Sequence, residues 1–241
     1  MIGIRRAIAL LLLSLFFWQF LLTALLGPDE LFACFLALAI CYGVAFLGVA
    51  AEWFWARWFA MGLGQFGSFM LLVLLQVGFD ESVAFFGFSH LTVWLFLAGE
   101  GMAARYEHSE ATAERWNFQE DSLALMRRAV RSAGMSLPFL ILYVLGPKPE
   151  LHQLLALGLA SAGFVALVRG RTWSVFALGT AGAIALADGL GLFGAPAIGR
   201  MMLDPVGSLQ LSGPIFPLLA GGLLIIPALF ARPMLRFLRR A

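Results

Sequence analysis

The chain has 241 residues, of which 61% are hydrophobic and only 12% charged, with a formal net charge of +2 and a mean hydropathy of +0.91. A soluble domain keeps roughly a quarter of its residues charged to clothe its surface, so this composition excludes an ordinary soluble enzyme or binding module and places the chain in lipid. The charge balance leaves no basic footprint of the kind that reads nucleic acid.

A helix needs about 20 apolar residues to cross the hydrocarbon, because every backbone N–H and C=O must be satisfied within the segment. Eight stretches meet this reading: 6–26, 31–51, 58–77, 82–100, 129–145, 151–168, 172–187 and 214–230. The first follows Arg5 and Arg6 and has the outline of a secretory signal. It lacks a small-x-small cleavage site, and its apolar run is too long, so a permanent first helix is expected. The second carries Cys34 and Cys41, seven residues apart. That spacing is about 10 Å along a helix, too far for a disulfide, and predicts two small packing residues without a metal or redox role.

Glu52, Trp53, Trp55 and Arg57 occupy the turn before the third stretch. The tryptophans read as an interfacial belt, and the two charges are expected to be exposed. Gln65 and Gln76 in the third stretch, like Gln19 in the first, are expected to hydrogen-bond across to neighbouring helices. Gly62, Gly64 and Gly67 spell GxGxxG, as do Gly189, Gly191 and Gly194. Neither set follows a strand or precedes an acidic residue at the right distance, so no dinucleotide site is predicted. The fourth stretch holds His90, the clearest ionisable group at membrane depth, and ends at Glu100.

Residues 107–122 form the one long polar connector, in which Asn117 and Glu120 have capping-box spacing ahead of an amphipathic helix leading to Arg127 and Arg128. The fifth stretch is interrupted by Arg131 and Pro138. The seventh ends at Asp188, where water could reach it, and a Gly- and Pro-rich loop of 188–213 follows. Its apolar residues, Leu190, Leu192 and Phe193 among them, predict that it folds back over the end of the bundle. Residues 231–241 read as a short basic amphipathic helix, a membrane-surface anchor with no soluble domain after it.

The chain also repeats itself. Arg5, Arg6, Ser14, Leu15, Gly27, Pro28 and Glu30 match Arg127, Arg128, Ser136, Leu137, Gly146, Pro147 and Glu150. With one shortening, Gly43, Gly48, Trp58, Gly64 and Gly67 match Gly158, Gly163, Trp173, Gly179 and Gly182. The expected architecture is therefore all-α: a polytopic integral membrane protein of eight transmembrane helices in two parallel four-helix pseudo-repeats, 1–106 and 123–241. Threading eight spans from a cytoplasmic N-terminus puts all sixteen basic residues inside except Lys148 and Arg200, so both termini are expected in the cytoplasm of a cell (inner) membrane.

Motifs for catalysis are missing: no HExxH, GxSxG or P-loop, and no metal-ligand spacing among His90, His108 and His152. No cofactor is expected, although a bound lipid fits the composition. The reading that follows is a non-enzymatic membrane subunit or scaffold, with membrane lipids and other membrane subunits as partners. The alternatives are a small-solute or ion transporter with its pathway between the repeats, or a membrane enzyme acting on a lipid. Candidate binding residues are His90, Asp188, Glu100, Glu52 and Arg57.

Overall fold

The computed structural model describes residues 2–107, 120–145, 149–194 and 215–238. It is all-helical, with no strand among the described residues. In chain order the helices are α1 (Ile2–Leu26), α2 (Phe32–Ala50), α3 (Phe54–Ser68), α4 (Met70–Val77), α5 (Glu81–Leu97), α6 (Glu100–Glu107), α7 (Glu120–Val144), α8 (Leu151–Val168), α9 (Trp173–Gly189), α10 (Ile215–Leu229) and α11 (Ala231–Leu238).

Local chemistry sets the boundaries. Pro28 cannot continue α1, and Gly78, with φ of 82°, closes α4. Asp80 caps α5 by accepting from the Val83 N–H at 2.9 Å. Glu150 and Gln153 form a reciprocal capping box at the start of α8, the glutamine oxygen accepting from Glu150 N–H at 3.2 Å. Gly99, at φ of 97°, separates α5 from α6, which bend by 70°; α10 and α11 bend by 63°.

Four helices are long and apolar enough to cross a bilayer: Ile2–Leu26, Asp29–Ala50, Phe54–Leu75 and Leu151–Val168. Counting each bent pair as one span brings the number to six. The molecule therefore has the helices of a membrane protein. Two of the eight expected stretches stand apart. Arg127, Arg128 and Arg131 leave α7 too short an uninterrupted apolar run, and α9 has only 17 residues.

Helices α1, α2, α3 and α5 pack as a ring, each against the next, with α5 returning to α1. Helices α7, α8, α9 and α10 pack in the same cyclic order. The two rings join chiefly through α3 and α7. That crossing is tight because both helices present glycine. A Cβ on Gly62 would lie 2.3 Å from the Arg131 carbonyl oxygen, and one on Gly134 would lie 2.6 Å from the Phe59 carbonyl oxygen. Small residues that let backbones touch are how membrane helices associate without a hydrophobic driving force.

Helix α3 is consequently buried on nearly every side. Its Phe59 stacks on Phe164 of α8 at 4.7 Å, and its Phe66 meets Phe139 of α7 edge-on at 4.8 Å, so the aromatic core runs through both rings. Helix α11 has the expected amphipathic pattern, but its apolar residues Met234, Phe237 and Leu238 are buried against the protein, leaving Arg232 and Arg236 exposed. The connector's Asn117 and most of the 188–213 loop lie outside the described residues.

Candidate functional site

Polar side chains gather at three places. The first is inside the α1–α5 ring. His90 on α5 is 1% exposed, and its two ring nitrogens face different partners. Nδ1 lies 2.7 Å from the Phe86 carbonyl oxygen, which can only accept, so Nδ1 carries the proton. Nε2 is then the acceptor, and Tyr42 on α2 donates its hydroxyl proton to it across 2.5 Å. Phe16 and Phe86 sandwich the imidazole at centroid distances of 4.2 and 4.1 Å. Gly67 of α3 packs directly against it: a Cβ there would stand 2.0 Å from the His90 Cγ. His90 thus has both nitrogens used and every face covered.

The second lies where α7 and α9 end and α8 begins, the far end relative to the N-terminus of α1. Asp188 is 3% exposed, a correction to the expectation of a carboxylate reached by water. Its Oδ2 accepts from the Tyr143 hydroxyl in a short hydrogen bond and from Gln153 Nε2 at 3.1 Å; Gln153 Nε2 also donates to the Tyr143 oxygen at 3.0 Å. His152 places Nε2 3.1 Å from the same Oδ2, but at an angle that makes no hydrogen bond, and Nδ1 3.4 Å from Glu150 Oε2. Phe193 covers the imidazole at 4.5 Å, so the first residues of the 188–213 loop do fold back over this end.

The third lies at the near end, beside the start of α1. Glu107 has a completely buried side chain. Its Oε1 accepts from Arg57 Nη1 in a short contact and from Trp58 Nε1 at 2.7 Å, while Oε2 accepts from Arg127 Nη2 at 2.6 Å. A buried carboxylate persists only when paired and fully hydrogen-bonded, and three donors meet that condition. Arg57 is itself only 4% exposed, which corrects its expected exposure. The cause is the break between α5 and α6. It leaves carbonyls without helical partners, and Arg57 donates to Leu97 O at 2.8 Å and Gly99 O at 3.3 Å. Arg5 caps the same helix end through Ala98 O at 2.6 Å and Leu95 O at 3.0 Å.

Beside this network, Glu52 is half-buried and bridges two arginines, Arg6 Nη1 at 2.6 Å and Arg105 Nη2 at 2.5 Å. The hydrogen bond from Arg105, and then the charges of Arg6 and Arg105, hold its carboxyl below the usual range. Arg6 also caps α2 through Ala50 O at 2.6 Å. Glu100 is exposed at the start of α6.

The predicted residues are therefore dispersed. Arg57 and Glu52 share one end of the molecule, whereas His90 and Asp188 sit in different rings with no described hydrogen bond between them. Sequence reasoning missed Glu107, Arg127, Tyr143 and Gln153. Glu150 and Gln153 were recoverable, because an acidic residue three places before glutamine at the head of an apolar run is a capping signature. Neither Gln19 nor Gln65 makes the expected cross-helix bond among the described residues, and Gln153 does so instead. The described histidine, cysteine and carboxylate side chains form no group able to hold a metal ion. Cys34 and Cys41 are free thiols.

Fold and site together define the class: an α-helical membrane protein whose buried His90, Glu107 and Asp188 are bonded to other helices of the same chain. No protein-family model, curated protein or solved structure matches the chain.

Proposed function

We propose that this chain is a non-enzymatic integral membrane subunit that scaffolds a larger membrane assembly. It is built from a duplicated four-span unit, with both termini on the cytoplasmic side of the cell (inner) membrane. Support for the duplication comes from the shared cyclic packing order of the two rings and from the matched glycines. Gly67 closes α3 against α5 at His90, and Gly182 closes α9 against α10, where a Cβ would lie 2.9 Å from Gly221 O. Support for the orientation comes from the arginines, which cluster at the near end.

The observation that carries the scaffold reading is that the most deeply buried ionisable groups, His90, Glu107 and Asp188, already have partners in the chain. Meanwhile α1 leaves a continuous apolar stripe uncovered: Ile4, Ile8, Leu11, Leu15, Trp18, Leu22 and Leu25, all at least 37% exposed. The alternating steps of four and three residues are those of a helix seam that receives another helix. A photo-crosslinking residue at Leu15, used in native membranes, should join the chain to a second polypeptide of discrete mass. Crosslinks to lipid alone, together with a monomer by native mass spectrometry, would remove this reading.

A transport reading keeps one supporting observation. His152 is partly exposed and directs an unbonded Nε2 at the buried Asp188 carboxylate, an arrangement suited to passing a proton or cation from the far surface. Under that reading Asp188→Asn abolishes flux in proteoliposomes while the protein still folds. An unchanged flux, or none in the parent protein, removes it.

A further inference from the structure

Among the described residues, Glu107 is the one carboxylate that pairs with the arginines in the first half of α7, and it reaches Arg127 alone. Arg127 spends one Nη2 on Glu107, yet its Nε is buried without an acceptor. Arg128 lies over the Phe230 ring at 5.9 Å, beside the bend between α10 and α11. Arg131 stands about 4.5 Å further along the helix, from the rise per residue. It is half-buried and makes no hydrogen bond or ion pair among the described residues, while the like charges of Arg127 and Arg128 bear on it. Glu107 already accepts from Arg57, Trp58 and Arg127, and no contact joins it to Arg128 or Arg131 among the described residues.

Three guanidiniums within two turns, one of them half-buried, suit an anion with several acceptor oxygens. Phosphate matches the guanidinium fork and takes bidentate contacts. The place also fixes its source. Helix α11 packs against α7 and turns 63° away from α10, which lays it across this end with Arg232 and Arg236 outward. We propose that Arg127, Arg128 and Arg131 bind the phosphate of an anionic lipid headgroup, with Arg232 and Arg236 on the exposed face of α11 drawing the same leaflet against the site. The proposal rests on the membrane reading above, which puts this end at the cytoplasmic leaflet, where anionic lipids attract basic segments.

The full chain is reconstituted in phosphatidylcholine nanodiscs with and without phosphatidylglycerol, and retained lipid and thermal midpoint are measured. Phosphatidylglycerol should be retained preferentially and should raise the midpoint. Arg131→Gln and Arg128→Gln should each weaken retention roughly tenfold, the order expected for losing a hydrogen bond to a charged group. Arg169→Gln removes an equal charge from an exposed turn and should leave retention unchanged. Equal losses in all three variants would overturn the site in favour of diffuse surface charge. Stabilisation by inorganic phosphate alone would overturn the lipid source. Insertion with no phosphatidylglycerol preference would mean that carboxylates of the chain itself neutralise Arg131, and would overturn the site outright. Failure to insert at all counts instead against the membrane reading, so the two failures are distinguishable.

Discussion

Arg127 donates to Glu107 Oε2 at 2.6 Å, and this contact pins the helix that opens one ring to the segment that closes the other. Because Arg57 and Trp58 of α3 share the same carboxylate, three helices meet on two oxygen atoms.

Glu107→Gln should therefore destabilise out of proportion to its size. The amide cannot neutralise two guanidiniums, one of which, Arg57, is buried. Breaking a buried pair by removing one partner typically costs about 3–5 kcal/mol, since it strands the other charge. A thermal melt in mild detergent should show a large drop for Glu107→Gln. A midpoint within experimental scatter of the parent would mean that water reaches the site and the pair is not buried.

The contact between Gly67 and His90 makes a sharper test, because a helical glycine in open space provides its control. Gly67→Ala would drive a methyl into the imidazole ring, forcing His90 off Tyr42 or α3 off α5, and overpacking of this kind costs about 1–3 kcal/mol. Gly158 is a helical glycine with open space where its Cβ would go, so Gly158→Ala should be neutral or stabilise by up to about 1 kcal/mol through helix propensity. Opposite signs on the melting midpoint are expected. Equal effects would place the two glycines in similar surroundings and discard the close α3–α5 approach.

The helices were legible in the sequence, and the bonds between them were not. Each of the eight apolar stretches falls largely in helix, because a long apolar run leaves the backbone few other ways to satisfy itself, although at most six of them qualify as spans. His90 and Asp188 were also visible, since a lone ionisable group in an apolar run stands out. Their surroundings were not: Tyr42 lies 48 residues from His90 and Tyr143 lies 45 from Asp188, and a periodicity argument carries no information across such separations. Arg57 misled for a related reason. A charge next to two tryptophans looks interfacial, but the carbonyls that bury it belong to a helix break 40 residues on.

Glu52 gives the near end a pH dependence whose sign follows from its partners. Arg105 and Arg6 lower its carboxyl below the ordinary value of 4.5, so the folded state releases this proton more readily than the unfolded chain does. The contribution is present above that ordinary value and disappears as pH falls through the lower, folded one. The side chain is a third exposed, so solvent screening keeps the effect small, about 0.5 kcal/mol. Between pH 7 and pH 3, Glu52→Gln should lose less of its melting temperature than the parent protein, and about 1 M salt should narrow the difference. Parallel losses would show that the bridge carries no stability.

Helix α10 contains its own defect and its own repair. Pro227 has no N–H to offer the Leu223 carbonyl one turn earlier, which leaves an acceptor inside an apolar bundle. Ser132 of α7 donates its hydroxyl to that carbonyl in a short hydrogen bond, converting the gap into a link between helices. Ser132→Ala should then cost about 1–3 kcal/mol, the penalty of a buried polar group left unmet. Pro227→Ala restores a backbone donor to Leu223, so in that background Ser132→Ala should cost much less. The double-mutant cycle should return a coupling of about 1 kcal/mol between residues on different helices. Additive effects would mean that the serine contributes packing alone and that the Leu223 carbonyl finds its proton elsewhere.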